Sequence, residues 1–164
     1  MSDYTRTVKA RPGVPRFEMA MQVGSTSGVA AGHIVSVVVG TERRLELATN
    51  TGTTYGIVAE RPDISIDTVI TTSGSYKDVT AYGIGGGGEY YTRIAPGGAA
   101  TSASVGTKLI AASGYPGMLA PIILASGHVT DVALAQYQNL KFALAENLTS
   151  ANSGYVTIKR VIML

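Results

Sequence analysis

Few residues in this chain could do chemistry, and none stands in a pattern that would let it. Gly83-Ile84-Gly85-Gly86-Gly87-Gly88 formally satisfies a dinucleotide-binding fingerprint. That motif works when a strand leads through it into a helix whose N-terminus faces the pyrophosphate. Here Glu89-Tyr90-Tyr91-Thr92-Arg93-Ile94 follows, a strand pattern that places an acid where an anion would sit. The glycines therefore predict a hairpin or bulge connection between two strands. No GxxxxGK phosphate loop and no GxSxG nucleophile elbow occurs. With no cysteine, the two histidines, His33 and His128, would need carboxylates to hold a metal, and only Asp131 follows His128 at ligand spacing. His33 opens a β-branched run and His128 follows Ser126-Gly127, so both read as structural. The acids are scattered, with no pair set for acid–base work. The expectation is a protein without enzymatic activity, cofactor or metal.

Composition sets what must position the remaining residues. The chain has 164 residues, of which 45% are hydrophobic, enough for one domain with a real core. Only 15% are charged and 20 are glycine, which favours short strands and many turns over long charged helices. A net charge of +2 is too weak a field for a dedicated nucleic-acid binder. The N-terminus lacks the apolar core of a signal peptide, and the longest apolar run, Met118 to Ala125, contains Pro121 and is too short to cross a bilayer. These features predict a soluble protein made in a cytoplasm, with Asn147-Leu148-Thr149 a chance sequon.

Residues 1–27 stand apart from the rest. They hold Arg6, Lys9, Arg11 and Arg16 against Asp3 and Glu18, and Pro12 and Pro15 oppose a helix. Gly24-Ser25-Thr26-Ser27-Gly28 reads as a joint. The segment is expected to be an extended N-terminal arm, mobile when free, tied to a β-rich domain over residues 28–164.

Strand signals then recur at short spacing. His33 to Val39, Arg44 to Leu47 and Tyr55 to Glu60 are separated by Gly40-Thr41 and Asn50-Thr51-Gly52. Ile64 to Asp67 and Val69-Ile70 suggest further short strands, followed by Val79 to Ile84, Glu89 to Ile94, Lys108 to Ile110 and Tyr155 to Ile162. Asp131 to Asn147 fits a helix, while Leu140 to Leu144 fits a strand equally well. Such a series predicts a mainly β fold, a small barrel or sandwich with few short helices. An internal echo accompanies it. Gly56-Ile57-Val58-Ala59-Glu60 resembles Phe142-Ala143-Leu144-Ala145-Glu146, and Gly40-Thr41 before Leu45 resembles Gly106-Thr107 before Leu109; the unequal separations mean either an insertion in the second copy or a coincidental match. Tyrosine is the dominant aromatic, 9 against 2 Phe and no Trp. Tyr90-Tyr91 must place one ring on each face of its strand, one inside and one available for a subunit contact.

Gly32 to Val37, Leu45 to Ala48 and Tyr55 to Glu60 resemble the opening of bacteriophage capsid decoration (cement) proteins, similar to the lambda head decoration protein family. Val79 to Gly83 with Gly85 to Gly88, Glu89 to Ile94, Val105 to Leu109, Ala143 to Glu146 and Gly154 to Ile158 continue the likeness. Pro62 to Lys77 and Ser113 to Leu140 depart from it and read as insertions. The resemblance implies a structural virion protein on the outer capsid surface, without catalysis, binding the major capsid protein as trimers and cementing neighbouring subunits. Contact with the capsid would then fall to the arm, with Val8, Val14, Phe17 and Met19 as apolar anchors and Arg6, Lys9, Arg11 and Arg16 meeting acidic groups, while Tyr90 or Tyr91 touches a sister subunit. Neither nucleic acid nor membrane is an expected partner. A tail or fibre module binding a receptor or carbohydrate is the alternative.

Overall fold

A computed structural model describes residues 9–11, 18–23, 28–38, 44–49, 54–60, 78–83, 87–96, 102–112, 114–121, 142–149 and 157–163. They form a mainly β fold of eleven strands: β1 Lys9–Arg11, β2 Glu18–Val23, β3 Ile34–Val37, β4 Arg44–Leu47, β5 Thr54–Val58, β6 Asp78–Gly83, β7 Glu89–Ile94, β8 Lys108–Ala111, β9 Leu119–Pro121, β10 Phe142–Leu144 and β11 Thr157–Met163. Where one face is solvated the alternation is clean: along β7, Tyr90, Thr92 and Ile94 are buried and Glu89, Tyr91 and Arg93 half-buried. β10 is buried on both faces, which is why its sequence shows no alternation.

The strands divide into two units with the same connectivity. In the first, β2 pairs parallel with β4 and antiparallel with β6, β3 pairs antiparallel with β4 and β5, and β5 with β6, closing a barrel. In the second, β7 pairs parallel with β9 and antiparallel with β11, β8 pairs antiparallel with β9 and β10, and β10 with β11. The β7–β9 contact at Ile94↔Leu119 joins the ends of that sheet, and β1 adds outside the ring along β7. Strand for strand, β2 to β6 correspond to β7 to β11.

The correspondence holds residue by residue. Val35↔Leu47, Ser36↔Glu46 and Val37↔Leu45 match Leu109↔Pro121, Ile110↔Ala120 and Ala111↔Leu119. Gly56↔Gly83, Ile57↔Tyr82 and Val58↔Ala81 match Phe142↔Met163, Ala143↔Ile162 and Leu144↔Val161. Single hydrogen bonds repeat as well. Val38 N–H donates to Arg44 O at 2.9 Å as Ala112 N–H does to Met118 O at 2.8 Å, and Gly32 N–H donates to Val58 O at 2.9 Å as Gly106 N–H does to Leu144 O at 2.8 Å.

Several sequence expectations change on this frame. The echo between Gly56–Glu60 and Phe142–Glu146 is a true register match, but the counterpart of Gly106 is Gly32 and not Gly40. Both are left-handed, with φ of 82° and 85°. The second unit's extra length falls at residues 122–141, between β9 and β10, where the first unit has only 48–53. Ser113 to Leu140 is therefore not one insertion, since it contains the stave β9. Phe142 to Leu144 takes the strand alternative. Gly85 to Gly88 joins β6 to β7 as expected, yet not as a hairpin, because those strands lie in different barrels. The division at 27/28 also moves. β2 lies inside the supposed arm and pairs with β6 over five positions from Glu18↔Tyr82 to Gln22↔Asp78, so it is a stave and not a tether. Residues 61–77 and 122–141 lie outside the described residues, and with them the strands expected at Ile64 to Ile70.

Two predictions follow from the closure. A Cβ on Gly56 would collide with the carbonyl oxygen of Tyr82 on the neighbouring strand. Gly56→Ala should lower the unfolding free energy by about 3 kcal/mol, read from denaturant melts. Deleting residues 1–23 removes a barrel stave and should abolish cooperative unfolding, whereas deleting residues 1–8 should leave the melting transition intact.

Candidate interaction surface

The two barrels meet along a seam made mostly of backbone. The turn Ala30–His33 of the first barrel lies against β7 of the second. Arg93 N–H donates to Gly32 O at 3.2 Å, and a Cβ on Gly32 would stand 3.0 Å from Tyr91 O. The 114–117 turn covers the same region: Ile34 N–H donates to Gly117 O and Gly117 N–H to Ala48 O, both at 2.8 Å. A Cβ on Gly117 would stand 2.9 Å from the Leu47 side chain and 3.3 Å from the His33 ring. Each close approach needs a residue without a side chain, so Gly32 and Gly117 are fixed by packing as well as by their positive φ.

His33 sits inside this seam, buried, and accepts the Ala30 N–H on Nδ1 at 3.0 Å. Burial, and then the nearby Arg93 guanidinium, push its pKa from 6.5 down to about 4. It is the structural histidine that the sequence implies. Two other buried polar groups, Ser36 Oγ and Thr92 Oγ1, make no hydrogen bond among the described residues. Their counterparts in the other barrel are Ile110 and Met21, so each hydroxyl occupies a position that takes an apolar side chain elsewhere in the same chain.

The outward face of β7 and β11 mixes charged, aromatic and apolar side chains. Glu89, Tyr91 and Arg93 on β7 lie opposite Ile162, Arg160 and Ile158 on β11. Arg160 Nε stands 3.6 Å from Glu89 Oε2, and Glu146 Oε1 accepts the Arg160 backbone N–H at 2.6 Å. Glu146 thus ties the β10 end to β11, and its counterpart in the first barrel is also a glutamate, Glu60.

The two tyrosines separate as alternation demands. Tyr90 is fully buried, its hydroxyl donating to Gly87 O at 2.8 Å and its ring 5.0 Å from Tyr82 across the barrels. It belongs to the core and cannot meet a sister subunit; the reason is which face of β7 the barrel encloses. Tyr91 is half-buried on the outward face. Of the residues expected to touch a capsid, Lys9 and Arg11 lie on β1, in register with Tyr90 and Glu89, and Met19 lies on β2 opposite Ala81. Arg6, Val8, Val14, Arg16 and Phe17 lie outside the described residues. Sequence reasoning missed the seam, where Gly32 and Gly117 are the informative residues.

Among the described residues, no cluster of three metal-ligating side chains exists, and no helix is long and apolar enough to cross a membrane. No protein-family model and no curated protein matches the chain.

The seam predicts an acid response of known sign. Because the folded state holds His33 neutral, its contribution is complete above pH 6.5, declines as pH falls towards 4, and is lost below that. The span corresponds to about 3 kcal/mol. Stability measured by denaturant melts should fall more steeply over that window in the natural chain than in His33→Asn, which keeps an acceptor for Ala30 N–H but does not titrate.

Proposed function

We propose that the protein is a structural virion component that binds the outer surface of a mature bacteriophage capsid and cements neighbouring major capsid subunits. The observation that carries this reading is where the resemblance falls in the fold. Gly32 to Val37, Leu45 to Ala48 and Tyr55 to Glu60 are not scattered matches but the consecutive staves β3, β4 and β5 with the turn that enters them. The further stretches that carry the likeness fall on β6 of the same barrel and on β7, β8, β10 and β11 of the second unit.

The physical design suits the task. Two barrels joined by a backbone seam make a stiff body, and stiffness is what a clamp between lattice subunits requires, since a flexible one would lose its binding energy to ordering. A protein that binds the expanded lattice better than the unexpanded one stabilises the former by mass action. Many copies touching adjacent subunits multiply a modest affinity. The basic N-terminal residues and Tyr91 are the contacts assigned to capsid and sister subunit, with three copies grouped at each lattice position as in the family resembled. Exposed ion pairs of the Arg6, Lys9, Arg11 and Arg16 type contribute about 0–1 kcal/mol each, so they adjust attachment and do not dominate it.

Co-sedimentation tests this directly. Purified protein should pellet with expanded, DNA-filled heads lacking their decoration, should not pellet with unexpanded shells, and should raise the temperature at which heads release DNA. Pelleting with host cells or purified cell-surface polysaccharide, and not with heads, would overturn the reading in favour of a receptor-binding tail or fibre module.

A further inference from the structure

The first two strands of the chain touch both barrels. β2 is a stave of the first, paired with β6, and β1 lies along β7 of the second. The two pairings belong to one register. From Glu18↔Tyr82 in the first barrel to Arg11↔Glu89 in the second, each strand advances by seven residues. The β1–β7 pairing therefore continues the β2–β6 pairing across the boundary between the barrels. The register shifts only beyond that point, between Arg11 and Lys9.

One edge of β7 receives this contact together with the seam. β11 takes the opposite edge from Glu89 to Ile94, so β1, the Ala30–His33 turn and β9 share the other. They follow one another along it. β1 pairs at Glu89 and Tyr90, Gly32 meets Tyr91 and Arg93, and β9 pairs at Ile94, where Ala95 N–H donates to Leu119 O at 2.9 Å. Two of the three occupants belong to the first-barrel part of the chain. The seam itself gathers around His33, where Gly32 meets β7 and Gly117 meets Ile34 and Ala48. β1 attaches further back, at Glu89 where the seam uses Arg93, a separation of about 13 Å at the usual strand rise.

The covalent crossing between the barrels has little to brace it. Gly83, Gly85, Gly86, Gly87 and Gly88 leave Ile84 as the one side chain among residues 83–88. We propose that β1 is a releasable strap across this crossing: paired with β7 it fixes the second barrel against the first, and unpaired it lets the seam open while both rings stay closed. Neither ring needs it, since β2 to β6 and β7 to β11 close without β1. Its hold is also slight. β1 engages β7 at two register positions with an irregularity between them, whereas β11 engages the same strand at six. Breaking so short a pairing costs far less than melting a stave, so strap release lies at the low end of the molecule's opening energies. Lys9 and Arg11 are carried by the second barrel while the strap is closed and leave it when the strap opens. The proposal does not rest on capsid attachment, because strap and seam lie within one molecule.

Amide hydrogen exchange, read residue by residue by NMR on the full chain, tests this. The Arg93 amide, which donates to Gly32 O, reports on the seam. The Ala59 and Ala145 amides, which donate to Thr80 O and Arg160 O, report on the first and second rings. Arg11→Pro removes the backbone N–H opposite Glu89, and Arg11→Ala removes the charge but keeps that N–H. Arg11→Pro should speed exchange at Arg93 roughly tenfold or more and leave Ala59 and Ala145 within about twofold of the natural chain, while Arg11→Ala should match the natural chain at all three. Deleting residues 1–11 should reproduce the Arg11→Pro pattern. Unchanged exchange at Arg93 in both Arg11→Pro and the deletion would overturn the strap. Acceleration of Ala59 and Ala145 along with Arg93 would make β1 part of a ring and overturn it too. An Arg11→Ala chain that behaves like Arg11→Pro would assign the effect to the side chain, against the proposal. No capsid enters the experiment, so its failure leaves the cementing reading to its own sedimentation test.

Discussion

The contact between the Gly32 carbonyl and the backbone of β7 sets the relation of everything else in the molecule. Each barrel alone is a ring of three- to seven-residue strands, and rings that small enclose little core. The seam enlarges what each can bury. Ala31, Ile34 and His33 lie at or near zero exposure beside this contact. A backbone contact of this kind leaves no room for compromise. Gly32 and Gly117 each approach another chain segment at a distance where a Cβ would press on carbonyl oxygen, leucine or imidazole. A side chain at either point would have to push the barrels apart, and His33, which gains its neutral state from that burial, would gain water.

Closure explains the unusual composition. A protein poor in charge cannot use lysine-rich edges to keep its sheets from pairing with strangers, and a closed ring has fewer edges to defend. Both units take that route through the same device, a parallel contact between first and third strands, β2 with β4 and β7 with β9. Glycine supplies the tight turns and the crossover between barrels, and a few of the charges lie on the outward face of β7 and β11. There Glu89, Arg160 and Glu146 are half-buried and engaged with one another, which holds the strand ends together without a large free field.

Strands with one wet face were legible in the sequence, because alternation is a local property. β4, β7 and β8 announce themselves residue by residue. β10 does not, since burial on both faces erases the pattern that separates a strand from a helix segment. β2 hid for a different reason: Glu18-Met19-Ala20-Met21-Gln22-Val23 has weak β propensity and follows two prolines, and pairing with β6 and β4 makes it a strand. β9 ends on Pro121, a residue that argues against a strand unless it falls at an end. For Tyr90 and Tyr91 the sequence decided that one ring goes in, but not which, because that depends on the side of β7 the barrel encloses. The seam was beyond reach altogether. Gly32 meets Tyr91, and Gly117 meets His33, across separations at which no local pattern operates.

The repeat also shows which positions the fold dictates and which the surroundings do. Identical residues occupy the two units at Gly32 and Gly106, Leu45 and Leu119, Ala59 and Ala145, and Glu60 and Glu146. The glycines need a left-handed backbone, and the leucines are fully buried at the parallel contact. Ala59 and Ala145 donate backbone N–H groups to Thr80 O at 2.8 Å and Arg160 O at 2.9 Å, where their strands leave the ring. These demands belong to a single barrel and are met twice. Other positions differ with their surroundings. Ala31 lies beneath the seam while Val105 lies in the open, and Thr92 stands in β7 behind the seam where Met21 stands in β2. A repeat whose halves were related by two-fold symmetry would bury both turns equally. This one buries the first and exposes the second, so the two barrels are stacked head to tail, and the asymmetry of the molecule is a property of its seam and not of either barrel.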